Sequence, residues 1–318
     1  MGTLLKRDSY FDNLKGFLIF TVVLGHILEN ISLDVLGSHD LVLFIYIFHM
    51  PLFTFVSGYF SKKSSRRPKE LAANMFKIYF LAQLGYYIFY KYIAGVADTT
   101  FDLFQPNWSL WYLLSLTCWY VLSEYVKPNW KYLFGSIILS LLLGFDDSIN
   151  SYFSLSRTFF FFPFFIAGSM MSDDFINKLK KKRLVLSLAT AGIIVLIFIF
   201  GRYISVENLY QYSCYSYGEY GNWTVFLRLG HYIAAFIVGA TIITWVGSRK
   251  CIFTRWGKYS LVVYLVHTGV IKLVMKYMPG ITTKVLAGIC IVIVLGIIHL
   301  INEMYIILLN KRLKKVKE

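Results

Sequence analysis

The sequence predicts an all-α, polytopic integral membrane protein with about ten transmembrane helices and both termini cytoplasmic. Three observations carry that prediction. Hydrophobic residues make up 57% of the 318-residue chain and charged residues only 15%, with a mean hydropathy of +0.60. A soluble domain carries about 25% charge, so an ordinary soluble globule, a disordered chain and a fibre are all excluded. Ten segments are long and apolar enough to cross a bilayer, which takes about 20 mostly apolar residues each. The lysines and arginines behind the formal net charge of +15 fall in alternate loops. On a membrane protein that excess means orientation and contact with anionic membrane lipids, not nucleic acid.

The expected spans are 14–34, 40–60, 71–94, 109–126, 130–146, 155–171, 184–203, 225–247, 259–278 and 285–310. The first is too long for a signal-peptide core and carries Glu29 and Asn30 where a cleavage site would lie, so no cleavable leader is expected. The second holds Phe48-His49-Met50-Pro51 and ends on Ser57-Gly58-Tyr59-Phe60. The third has Lys77 just inside its start, the fifth and sixth are the shortest, and a long connection from Tyr203 to Asn222 leads to the eighth. The ninth carries Tyr264 and His267, and the tenth His299 and Glu303. With the N-terminus inside, segments 1–15, 61–70, 127–131, 172–183, 248–258 and 311–318 face the cytoplasm and hold most of the cations. The outer loops hold Asp34, Asp40, Asp98, Asp102, Asp146, Asp147, Glu207 and Glu219. That alternation requires an even number of spans. No internal repeat or second domain is visible, so 1–318 reads as a single transmembrane domain. Four scattered cysteines, Cys118, Cys214, Cys251 and Cys290, predict neither a disulfide framework nor a metal site.

Ionisable side chains at membrane depth cost about 2.5–3.5 kcal/mol each on insertion scales and are functional candidates by default. Lys15 and His26 are eleven residues apart, about three helical turns or roughly 16 Å on one face. Asp12 at i−3 from Lys15 and Glu29 at i+3 from His26 extend this into one polar stripe. It suits the lining of a ligand path; interfacial anchoring is the alternative for Asp12 and Lys15 and a place in the outer loop for Glu29, whereas His26 lies too deep to snorkel. His49 is expected at nearly the depth of His26, above Pro51, which frees a backbone carbonyl. Histidines there suit proton transfer near neutral pH, the alternative for His49 being a structural hydrogen bond. Tyr264 and His267 share a helix face, as do His299 and Glu303, and His231 lies near Arg228; packing or structural hydrogen bonding comes ahead of catalysis as the reading of each.

Lys62, Lys63, Arg66 and Arg67 follow the second span directly. With Lys77 they form a cationic group able to hold phosphates, lipid headgroups being the alternative partner. The chain has no GxxxxGK[ST] or GxGxxG. The stretch Tyr210 to Trp223 is dense in aromatics and hydroxyls, which suits either a sugar or an interfacial aromatic belt.

Five stretches together resemble the membrane-bound acyltransferase-3 superfamily, in particular its short, fucose 4-O-acetylase-like members. They are Asp12-Asn13-Leu14-Lys15-Gly16 leading to Gly25-His26; Phe48-His49-Met50-Pro51-Leu52-Phe53 leading to Ser57-Gly58-Tyr59; Trp108 to Leu113; Phe162 to Gly168; and Gly257-Lys258-Tyr259-Ser260-Leu261 leading to Tyr264 and His267. The resemblance implies a ten-helix enzyme of the bacterial cytoplasmic (inner) membrane. Such an enzyme moves an acetyl group from cytoplasmic acetyl-CoA, with no metal, to a hydroxyl of an envelope glycan or lipid-linked sugar. It implies that Lys15 and His26 form the required K/R-x10-H pair and that the basic segment with Arg66, Arg67 and Lys77 meets the donor. Arg66-Arg67-Pro68-Lys69 matches the family's RxxR pattern only loosely. No hydrolase domain is expected after the tenth helix, and no oligomeric state is implied.

Acyl transfer to a hydroxyl needs a base for the hydroxyl and an acid for the leaving thiolate. His26, Glu29 and His49 are the catalytic candidates; Lys15, Arg66, Arg67 and Lys77 the donor-binding ones; Trp111, Tyr264 and His267 the acceptor-side ones. The rival reading is a proton-coupled secondary transporter, against which stand the missing inverted repeat and the lack of paired broken helices.

Overall fold

The computed structural model describes residues 9–31, 37–96, 98–217, 220–278, 281 and 284–315. Asp34 and Glu219, assigned above to outer loops, lie outside the described residues, as do 1–8 and 316–318 of the terminal cytoplasmic segments. Within the described residues the chain is all-helical, without strands. The helices are α1 (Ser9–Asn30), α2 (His39–Lys63), α3 (Pro68–Ile88), α4 (Trp111–Leu122), α5 (Trp130–Leu143), α6 (Leu155–Met170), α7 (Asp173–Lys181), α8 (Arg183–Phe200), α9 (Thr224–Trp245), α10 (Ile252–Lys258), α11 (Ser260–Tyr277) and α12 (Lys284–Lys315).

Within the described residues, each of the ten expected segments contains a helix. Seven helices among the described residues are long and apolar enough to span a membrane: α1, α2, α6, α8, α9, α11 and α12. The other three fall short for physical reasons. α5 has 14 residues, a rise of about 21 Å against a hydrocarbon core of about 30 Å. α4 reaches only Trp108–Leu122 even with its leading 3₁₀ turn. α3 is long enough at 21 residues, but Lys69, Glu70, Asn74, Lys77 and Gln83 dilute its apolar run. Two helices were not expected, α7 and α10, both inside basic loops. Each carries a start signal: the Ser172 hydroxyl accepts from the Phe175 N–H at 3.2 Å, and the Cys251 N–H donates to Thr254 Oγ1 at 2.8 Å.

The chain forms two compact units, one of 1–38 with 246–318, the other of 39–245. In the first, α1 packs chiefly on α10 and also on α11, while α12 packs on α11 and α1. Gly16 and Gly257 make the α1–α10 approach: a Cβ on Gly16 would overlap the Phe253 carbonyl, and one on Gly257 the Asp12 carbonyl. In the second unit α2 and α6 cross as closely, with Gly58 against the Phe165 carbonyl and Gly168 against the Phe55 carbonyl. Small residues let helix backbones approach where lipid offers no hydrophobic drive for association. Around that crossing, α3 packs on α4, α5 on α6, and α9 on both α8 and α2. The core is aromatic, with Phe160 stacked on Tyr232 at 4.5 Å and Trp119 donating to the Thr158 carbonyl at 2.8 Å.

Candidate active site

Asn13 anchors the start of the polar stripe. Its Nδ2 donates to the carbonyls of Gly247 and Arg249, each at 2.7 Å. Its Oδ1 accepts from Thr254 Oγ1. The side chain so holds the basic loop before α10 against α1. Beside it Asp12, 4% exposed, pairs with Lys15 at 3.1 Å. A buried carboxylate needs such a partner, and the pair fixes the ammonium on the stripe.

Further along α1, His26 Nδ1 lies 3.2 Å from Glu29 Oε2. A carboxylate can only accept, so in the neutral ring Nδ1 carries the proton and Nε2 presents a lone pair. The His26 ring stacks on that of His267 with centroids 5.4 Å apart and planes at 24°. His267 is fully buried, and its Nδ1 lies 2.6 Å from the Tyr264 carbonyl. The same reasoning puts its proton on Nδ1 and leaves Nε2 as an acceptor. That Nε2 has no hydrogen-bond partner among the described residues. Tyr264 is buried beside it, ring centroids 5.7 Å apart. The first unit therefore brings Asp12, Lys15, His26, Glu29, Tyr264 and His267 into one bundle. What sequence spacing missed is that the histidine beside His26 within this unit comes from α11.

The second unit holds the remaining candidates. His49, buried, donates from Nδ1 to the Ile45 carbonyl at 2.7 Å, which again makes Nε2 the acceptor nitrogen of the ring. His231 differs. Its Nε2 donates to the Ile47 carbonyl at 3.2 Å, which Pro51 leaves without its helical N–H. Its Nδ1 accepts from Gln211 at 3.3 Å. Both nitrogens are used, so His231 is a structural residue. Ser57 bonds Tyr112 at 2.6 Å, and Tyr59 donates to Asp173 at 2.8 Å while accepting from Lys63. That hydrogen bond, helped by the Lys63 charge, holds the Asp173 carboxyl below the usual carboxylate range.

The basic candidates do not converge. Arg66 and Arg67 are exposed just before α3, and Arg67 pairs with Glu70 at 2.8 Å. Lys77 is exposed ten residues further along, about 15 Å up the helix. Trp111 is buried, stacked on Phe161 at 5.1 Å, with the Arg157 guanidinium 4.9 Å over its ring. Arg157 also lies 5.6 Å over Tyr212 and donates to the Tyr210 carbonyl at 3.0 Å. This arginine, which sequence reading passed over, ties the aromatic loop to the bundle. Tyr215 in that loop is buried and donates to the Leu141 carbonyl at 3.0 Å, so part of the loop's aromatic character is packing. Gly218 and Glu219 of the same loop lie outside the described residues.

Comparison with known proteins adds three findings. The model of an acyltransferase domain family matches residues 8–301. Nodulation protein NolL of Sinorhizobium fredii (strain NBRC 101917 / NGR234) is 31% identical over 129 residues, 35% of each chain. Nodulation protein NolL of Mesorhizobium japonicum (strain LMG 29417 / CECT 9101 / MAFF 303099) is 42% identical over 59 residues, 18% of this chain and 16% of the relative. The chain thus matches only about a third or less of the length of these relatives. No solved structure matches it.

Proposed function

Because this chain belongs to the acyltransferase domain family, we propose that it is a membrane O-acetyltransferase. In this reading it moves an acetyl group from cytoplasmic acetyl-CoA to a hydroxyl of a cell-surface or lipid-linked polysaccharide. It sits in the bacterial inner membrane as one ten-span domain, with both termini inside and with membrane lipids as its surroundings. The observation that carries the reading is the His26–Glu29 pair stacked on His267. In a histidine whose Nδ1–H is held by a carboxylate, Nε2 is the basic nitrogen, the arrangement acyl transfer uses repeatedly.

The chemistry follows from that tautomer. His26 Nε2 takes the proton of the acceptor hydroxyl as its oxygen attacks the thioester carbonyl. The new C–O bond forms, and the carbonyl electrons move onto oxygen. As the tetrahedral intermediate collapses, the C–S bond breaks and CoA leaves as a thiolate. The imidazolium, steadied by Glu29, returns its proton to that sulfur. The bare Nε2 of His267 accepts a hydrogen bond from a sugar hydroxyl, with Tyr264 beside it; Trp111 is the acceptor-side candidate of the second unit. His49 is a second proton carrier in the other unit. Positive charge for the donor phosphates comes from the basic loop of the second unit, Arg66 and Arg67 first, with Lys77 further along α3 and Lys15 of the first unit as separate candidates.

The test is direct. Protein purified into nanodiscs should consume acetyl-CoA and release CoA when given the envelope glycan as acceptor. His26→Ala should lower that rate about 10²–10⁴-fold, the usual cost of losing a general base. Near-normal turnover in a folded His26→Ala protein would reject the assignment.

A further inference from the structure

α12 buries Ala287, Cys290, Val294, Ile298 and Asn302 in one stripe, all 0% exposed. This is the face packed on α11 and α1. The first four are apolar or nearly so; Asn302 breaks the pattern. Neither its Nδ2 nor its Oδ1 has a hydrogen-bond partner among the described residues. One residue on, Glu303 gives Oε2 to Arg255 at 3.0 Å, while its buried Oε1 is likewise unpartnered. On the same side His299 Nδ1 accepts from Trp256 at 3.1 Å, so the Arg255 and Trp256 side chains of α10 are already engaged. An unpaired buried carboxamide is costly, and more so in a lipid-embedded bundle where water is scarce. One buried donor group and two acceptors, in an otherwise satisfied cluster, describe a socket for a polar ligand.

We propose that Asn302, with Glu303 Oε1, binds the amide-bearing pantetheine arm of the acyl donor. This rests on the acetyl-CoA reading above. The chemistry selects the arm over the rest of the donor. A secondary amide presents one N–H and one C=O, the complement of a carboxamide, and the arm carries two of them. Phosphates are disfavoured because Glu303 contributes a carboxylate and Asn302 no charge. The sugar acceptor is disfavoured by topology. Asn302 lies at the end of the unit where Asp12, Lys15 and α10 meet, the end that the loop charges assign to the cytoplasm.

The experiment compares the full-length protein with Asn302→Leu, binding two probes: CoA, and adenosine 3′,5′-bisphosphate, which lacks the arm. The proposal expects Asn302→Leu to weaken CoA about tenfold or more, with the bisphosphate unchanged. It also expects the ligand-free variant to melt at the same or a higher temperature than the parent, since an unsatisfied amide has gone from the core. Equal CoA affinity in the two proteins overturns the proposal and leaves the donor reading intact, the socket then holding a water. A lower melting temperature without ligand, with both probes weakened alike, also overturns it and makes Asn302 a structural residue. If the parent binds neither CoA nor acetyl-CoA, the donor reading itself falls, and the proposal with it.

Discussion

A carboxylate 3.2 Å from Nδ1 decides which nitrogen of His26 can act as a base. Glu29→Gln tests that at the scale of one residue. The amide oxygen can still accept the Nδ1–H, so the tautomer survives, but the charge that steadies the imidazolium is gone. The rate should fall, by less than in His26→Ala. Turnover equal to the parent at every pH would remove Glu29 from the mechanism. His231 is committed differently: its Nε2 donates to the Ile47 carbonyl and its Nδ1 accepts from Gln211, so both nitrogens serve packing.

At the scale of elements, the motif glycines are packing devices. Gly58 lets α2 lie against the Phe165 carbonyl of α6, whereas Gly85 on α3 has open space where its Cβ would be. Gly58→Ala should therefore destabilise by about 1–3 kcal/mol, as overpacking does, because backbone cannot give way like a flexible side chain. Gly85→Ala should be neutral or stabilising by up to about 1 kcal/mol, the helix propensity gained over glycine. Thermal melts of the two variants in one detergent check the pair. Equal melting temperatures would mean that the crossing has room to spare. The helices themselves were legible because each apolar run is bounded by charged or loop residues. α7 and α10 were not, because seven to nine polar-rich residues leave no hydropathy signal and their start signals lie in single caps.

At the scale of the whole molecule, the open question is which basic loop holds the donor phosphates. Arg66→Ala with Arg67→Ala should raise the acetyl-CoA KM several-fold and leave the acceptor KM nearly unchanged. Added salt should then weaken donor binding more in the parent than in the variant, since screened charge is what was removed. An unchanged donor KM in correctly inserted protein would shift the phosphates to Arg249, Lys250, Arg255 and Lys258 of the other unit. Those four are exposed in the loop and short helix that Asn13 anchors. Arg67 already shares its charge with Glu70, an exposed pair that contributes little to stability, so the loss of that pair should not confuse the measurement.

Hydropathy was enough to locate the ten apolar helical segments, because it is a local property of the chain that acts segment by segment. Helical periodicity likewise placed Asp12 beside Lys15 and Glu29 beside His26, contacts within one turn of one helix. What joins distant parts of the chain was decided only by tertiary packing. Asn13 reaches the loop at 247–254, His26 stacks on His267, and Asn302 is buried without a hydrogen-bond partner among the described residues. Such contacts depend on which faces the helices turn to one another, and the side-chain volumes and close glycine approaches that set those faces are summed over the whole unit rather than written in any single stretch.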